Sequence, residues 1–206
     1  MTDERYLTYL AQHLTPARIE HSLGVMGMMD VLAPLYDLAP KTAHIAGLLH
    51  DAGKELSQSL MESIAQDIHF SLDEPANRDP LYLHGPCSAY VVQHDLGIND
   101  PLVLEAIYRH TYVGDWDVQS PVFCWCLRFA DMLEPGRNWI DLRQRLQSLV
   151  FACRMGEAAF ALMDWLLPFL KHIGVTPNSS QQSLHCELGR LFANGVVQVP
   201  IDKLPV

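Results

Sequence analysis

Apolar residues along this chain recur at intervals of three and four, the period of a helix, and strand-like alternation is scarce. Thr15-Pro16 reads as an N-cap followed by proline at the first helical position. Behind it His21, Val25, Met28, Met29 and Leu32 fall on one stripe, and Pro34 is placed to end or bend that helix. A second helix is expected over about 41–51, with Ala43, Ala46, Gly47 and His50 on one face and Gly53 as its stop. Ser57 is positioned to cap a short helix carrying Leu60, Met61 and Ile64. SLDEPANRDP predicts a loop, and a helix over 85–96 follows it, stopped by Gly97. Asp100-Pro101 and Ser120-Pro121 repeat the cap-then-proline signal. Val103, Ile107 and His110 line up behind the first; Cys124, Leu127 and Asp131 share a face behind the second, with the loop TYVGDWDVQ between. Amphipathic segments at about 142–154, 157–171 and 183–193 precede an extended or disordered tail, VVQVPIDKLPV. The pattern predicts an all-α, single-domain helical bundle across residues 1–206.

Composition narrows the function classes. Hydrophobic residues make up 49 % and charged residues 18 %, enough for a packed core and too little charge for disorder. The formal net charge is −10, so no general basic field exists to hold nucleic acid or an anionic membrane. An anionic ligand must be met by local cations. Five cysteines, Cys87, Cys124, Cys126, Cys153 and Cys186, show no Cys-x-x-Cys spacing, which predicts reduced thiols in a cytoplasm. Cys124 and Cys126 read as small buried hydrophobes. The opening MTDERYLTYL has neither a signal-peptide nor a membrane-anchor pattern, and no later run is long and apolar enough to span.

The candidate chemistry lies in His21, His50-Asp51, His84, His110 and Asp131, which fall at or near helix ends among apolar neighbours. One histidine so placed is more often a packed core residue than a ligand. Several such groups on separate helices of one bundle are costly to bury unless paired or metal-bound, and one shared metal between helices accounts for all of them. His94-Asp95 is an internal control: a second His-Asp pair at a helix end, without matching partners, expected to be a solvated surface pair. Imidazoles and carboxylates without thiolate suit iron, manganese or zinc, and such a metal polarises phosphorus and lowers the pKa of water. His84 and His110 can hold a phosphate, protonate a leaving oxygen, or take a second metal. Arg18 shares a helix face with His21, Lys54 follows the His-Asp helix end, and Arg137 offers a forked donor to phosphate; each also reads as an ordinary surface charge.

The order His21, His50-Asp51, Asp131 resembles the HD superfamily of metal-dependent phosphohydrolases. The pieces RIEHSLGVM at 18–26, AGLLHDAGK at 46–54, LHGPCSAYVV at 83–92, AIYRHT at 106–111 and RFADMLEPGR at 128–137 are similar to its YqeK-type branch, the symmetrical diadenosine-tetraphosphate hydrolases of bacteria. The resemblance implies an HD core over about 15–140 and a C-terminal helical extension and tail over about 141–206. It implies His21, His50, Asp51 and Asp131 as ligands of one metal, commonly iron, with room for a second ion near His84 and His110. Asp51, His84 and His110 would carry the catalysis. Arg18, Lys54, His84, His110, Thr111 and Arg137 would meet the substrate phosphates. The expected partner is a small nucleotide, with no nucleic acid or membrane, and a homodimer is compatible. The chain departs from the branch at Tyr112-Val113-Gly114, at VFCWCLRFAD and at TPNSSQQSLHCEL. Two other readings stay open: another HD phosphohydrolase acting on nucleoside mono- or triphosphates, and a non-catalytic nucleotide sensor.

Overall fold

The computed structural model describes residues 3–111 and 118–196, together with 199 and 204. Among these are ten α-helices and no strand: α1 (Glu4–His13), α2 (Pro16–Leu35), α3 (Pro40–Leu49), α4 (Gln58–Asp67), α5 (Pro80–His94), α6 (Pro101–Arg109), α7 (Pro121–Leu133), α8 (Ile140–Val150), α9 (Met155–His172) and α10 (Ser179–Ala193). None is long and apolar enough to cross a membrane. The polar caps work as their chemistry dictates: Ser57, Asp79, Asp100 and Ser120 each accept a backbone N–H in the first turn of α4, α5, α6 and α7.

The bundle is built outward from α2 and α3. They lie close because residue 47 is glycine, where a Cβ would stand 2.7 Å from Met26 Cα. Val25, Met29 and Leu32 of α2 meet Leu48 and Leu49 of α3 and Leu127 and Phe129 of α7 in one buried core. A smaller cluster of Met61, Ile64, Phe70, Leu83 and Cys87 seats α4 on α5. α8, α9 and α10 stack in sequence beyond α7. Cys124 and Cys126 are buried free thiols, as expected.

Several boundaries differ from the sequence reading. α1 was not anticipated; its apolar side is short, with Leu10 its one fully buried residue. α5 starts at Pro80 rather than Gly85, so the end of the expected loop is helix, while Pro75–Arg78 forms a 3-10 turn. α10 starts at Ser179 rather than Ser183, opened by a capping box of Asn178 and Gln181. Pro34 sits one residue from the end of α2, whereas Pro86 and Pro168 lie inside helices. Most of TYVGDWDVQ, the Tyr112-Val113-Gly114 departure and most of the tail VVQVPIDKLPV fall outside the described residues.

Candidate metal centre

Six acidic and imidazole side chains reach one point from five helices. His21 lies in the second turn of α2, His50 and Asp51 follow the end of α3, His84 is in the second turn of α5, His110 caps α6, and Asp131 is in the last turn of α7. All but His21 are buried, and His21 is nearly so. The turn after Asp51 is docked onto α5 through glycine: Gly53 N–H donates to Ser88 Oγ at 2.9 Å, and a Cβ at 53 would stand 2.9 Å from Ser88 N. That contact carries Asp51 to His84.

Asp51 divides the centre in two. Its Oδ2 lies 3.8 Å from His21 Nε2 and 3.7 Å from His50 Nε2, and its Oδ1 lies 3.2 Å from His84 Nε2 and 3.5 Å from His110 Nε2. Asp131 Oδ1 joins the first half, 3.0 Å from His21 Nε2 and 4.0 Å from His50 Nε2. Facing Nε2 atoms are 3.2 Å apart for His21 and His50, and 3.1 Å for His84 and His110. Two groups have the convergence of a cation site: His21, His50 and Asp51, and Asp51, His84 and His110.

The far side of each ring fixes which nitrogen faces inward. Nδ1 of His50, His84 and His110 contacts the carbonyls of Gly47, Pro80 and Ile107 at 2.9, 3.0 and 2.7 Å. A carbonyl can only accept, so each Nδ1 carries the hydrogen and each Nε2 of the neutral ring turns a lone pair to the centre. Burial keeps two of these rings neutral: it pushes His50 down to about 3 and, with help from Lys54, His84 down to about 4. His21 differs. Burial opposes its charge, but the Asp131 hydrogen bond and charge outweigh that and raise its pKa, while Nδ1 donates to Glu134 Oε1 at 3.1 Å. A cation entering the first half displaces that proton.

The donor set fits a divalent ion. Asp51 Oδ1 is buried without a hydrogen-bond donor, although two Nε2 lone pairs and the Lys54 ammonium surround it. Burial penalises both carboxylates, yet the Lys54 charge holds Asp51, and Arg137 and His21 hold Asp131, well below the usual carboxylate range. The protein's own cations already lean into both halves. Lys54 Nζ is 2.7 Å from His84 Nε2; the Arg137 guanidinium pairs with Asp131 and stands 3.3 Å from His21 Nε2; Arg18 Nη1 is 4.0 Å from Asp51 Oδ2. Excess acceptors, buried and aimed inward, with no thiolate, form a centre for a hard or borderline divalent metal.

The other expected residues are placed as follows. Thr111 Oγ1 donates to the Tyr82 carbonyl at 3.3 Å at the edge of the centre. His94 and Asp95 are exposed and belong to neither cation-site group; the His94 ring lies tilted against Tyr90 and Asp95 accepts from Tyr9. Two participants were not foreseen. Glu134 orients His21, and Arg128, buried under Trp125, donates to the carbonyls of Arg109 and His110 and so anchors the end of α6. The signal for Arg128 was an arginine inside an apolar run. The signal for Glu134 was its place in RFADMLEPGR, the stretch that carries the family resemblance, which gave it no partner.

Two clefts open from the centre. One, enclosing about 740 Å³ that is partly open to solvent, has Lys54, His84, His110, Thr111, Asp131 and Arg137 at one end and side chains of α9 at the other. The second is lined by Arg18, Glu20, His21, Glu134 and Arg137.

The family model for the HD domain matches residues 18–145. The symmetrical bis(5'-nucleosyl)-tetraphosphatase of Halalkalibacterium halodurans is 37 % identical over 148 residues, covering 68 % of this chain and 72 % of that protein. The Bacillus subtilis protein of the same name is 33 % identical over 177 residues, covering 78 % and 92 %. The crystal structure of a predicted HD superfamily hydrolase involved in NAD metabolism from Clostridium acetobutylicum superposes with a TM-score of 0.81 at 27 % identity, over 92 % of this chain and 98 % of that one. The chain belongs to the HD domain family of metal-dependent hydrolases.

Proposed function

We propose that this chain cleaves dinucleoside polyphosphates symmetrically, diadenosine tetraphosphate and water giving two ADP. The observation that carries it is one cleft in which a buried, acceptor-rich metal centre meets Lys54, Thr111 and Arg137. The names of the relatives in Halalkalibacterium halodurans and Bacillus subtilis support the same reading. The whole chain acts as one domain, an HD core over about 15–140 with an extension over about 141–206, in the cytoplasm.

His21, His50, Asp51 and Asp131 hold the ion, which we take to be iron, and Asp51, His84 and His110 are suited to a second. When bound, such an ion polarises the phosphoryl group and makes water a better nucleophile. The chain's own groups do the rest. Arg137, Lys54 and Arg18 draw the polyphosphate to the centre, a task the net charge of −10 opposes elsewhere. Arg137 can swing its fork from Asp131 to a phosphate once an ion neutralises that carboxylate. His84 is held neutral by burial and by Lys54, which makes it a lone-pair donor rather than an acid. The departing group is itself a nucleotide phosphate and leaves as an anion. Water adds to one central phosphorus, the bond from the bridging oxygen to that phosphorus breaks, and each half departs as ADP.

Chromatography of products from diadenosine tetraphosphate tests the reading, and ADP alone is expected. AMP plus ATP would overturn symmetrical cleavage and leave the metal-dependent hydrolase standing. A metal-loaded protein that binds nucleotide without turnover would favour a sensor. Metal analysis of the isolated protein, with turnover after reloading with ferrous, manganous or zinc ion, tests the choice of iron.

A further inference from the structure

The cleft that reaches α9 is charged only where it meets the metal centre. Its far wall is Trp139, at the start of α8, with Leu162, Leu166 and Phe169 of α9. Trp139, Leu166 and Phe169 are partly exposed. Trp139 and Phe169 belong to one packed aromatic set with Trp165: Trp165 stacks on Phe169 at 4.7 Å between centroids, and Trp139 lies 4.8 Å from Trp165 and 5.7 Å from Phe169. The Arg137 guanidinium lies over Trp139 at 4.8 Å, so cationic mouth and aromatic wall meet at adjacent side chains. Aromatic surface left partly bare in a cleft is area that a flat apolar ligand can cover.

We infer that this wall binds the base of one nucleotide half of the substrate, with its phosphates running past Arg137 to the centre. The inference rests on the nucleotide-hydrolase reading above. The wall itself is Leu, Phe and Trp, with the Trp139 indole N–H as its one polar group, and the Oε1 of Gln181, which also lines the cleft, already accepts from Tyr82 and Asn178. Selection is therefore by stacking area: purines over pyrimidines, with little distinction between adenine and guanine. The wall comes from α8 and α9, which supply none of the centre's side chains, so base recognition and metal holding are separable.

Calorimetry on the full, metal-loaded chain separates them, with ADP and inorganic pyrophosphate as probes. Phe169→Ala should weaken ADP about tenfold and leave pyrophosphate within about twofold. Phe169→Tyr, which keeps the ring, should restore ADP binding, and Leu166→Ala should show the same split at a second position. Equal loss for both probes, or no loss for either, overturns the inference. Binding is read without turnover, so a protein that fails to cleave diadenosine tetraphosphate yet shows the split refutes the proposed reaction and keeps the pocket. Cleavage with no split refutes the pocket alone.

Discussion

His21 is gripped from both sides before any ion arrives, by Asp131 on Nε2 and by Glu134 on Nδ1. Glu134 reaches the ring because position 24 is glycine: a Cβ there would stand 2.7 Å from Glu134 Oε2. The Gly136 N–H, donating to the same oxygen at 2.6 Å, holds the carboxylate in place. A buried acceptor behind a metal-facing imidazole sets ring orientation and basicity, commonly at a cost of roughly 10- to 100-fold in affinity when removed. Glu134→Ala should therefore weaken ion binding by about that factor in a chelator-competition titration. Glu134→Gln, which can still accept from Nδ1, should fall less, and Gly24→Ala should resemble Glu134→Ala by displacing the carboxylate. Unchanged affinity in Glu134→Ala would return Glu134 to an ordinary helix-end partner of Arg137. The inward histidines and aspartates were legible in the sequence because each breaks an apolar helical stripe. Glu134 was not, because its partner lies 113 residues away and no local pattern links them.

At the scale of the helix, α5 shows where turn signals mislead. Gly85-Pro86 reads as a break, so the sequence places the start of the helix there, yet Asp79-Pro80 carries the same cap-then-proline signal found before α6 and α7. Proline inside a helix removes the N–H that would bond the carbonyl four residues back. Here that carbonyl is Tyr82's, and Thr111 Oγ1 donates to it instead. Gly85 makes the approach feasible, since a Cβ there would meet Thr111 Oγ1 at 2.8 Å. Thr111 thus closes a gap that Pro86 opens, joining α5 to the end of α6 beside His84 and His110. Thr111→Val should cost about 1 kcal/mol in denaturant unfolding, the usual net value of one hydrogen bond. In a Pro86→Ala background, which restores the N–H, the same change should cost less. Identical costs in the two backgrounds would sink the compensation. α10 was shortened for a related reason: Asn178 and Gln181 look like loop residues until their side chains are seen bonding each other's backbone.

Across the whole molecule, the all-α class was legible because a cap followed by proline opens α2, α5, α6 and α7 and a three-to-four apolar period runs through most of the rest. The base pocket was not, because Trp139, Leu162 and Phe169 read as ordinary core on their own helices and become a wall only when α9 packs against α8. The metal centre ties these levels to stability. An ion that binds only the folded chain contributes about 4 kcal/mol at a thousandfold excess over its Kd, which for a chain of this size moves Tm by roughly 10 °C. Stripping with a chelator should lower Tm by about that much and readdition should restore it; an unmoved Tm would mean that no ion is held by the folded chain. The arrival of six groups from five helices also has a kinetic side. An ion held by His21, His50, Asp51 and Asp131 would keep α2, α3 and α7 from breathing independently, and a second at Asp51, His84 and His110 would add α5 and α6, because opening any one of them dissolves part of a shell. Their amide hydrogens then exchange with solvent through one shared, slow event in the loaded protein, and on separate, faster schedules once the ion is gone.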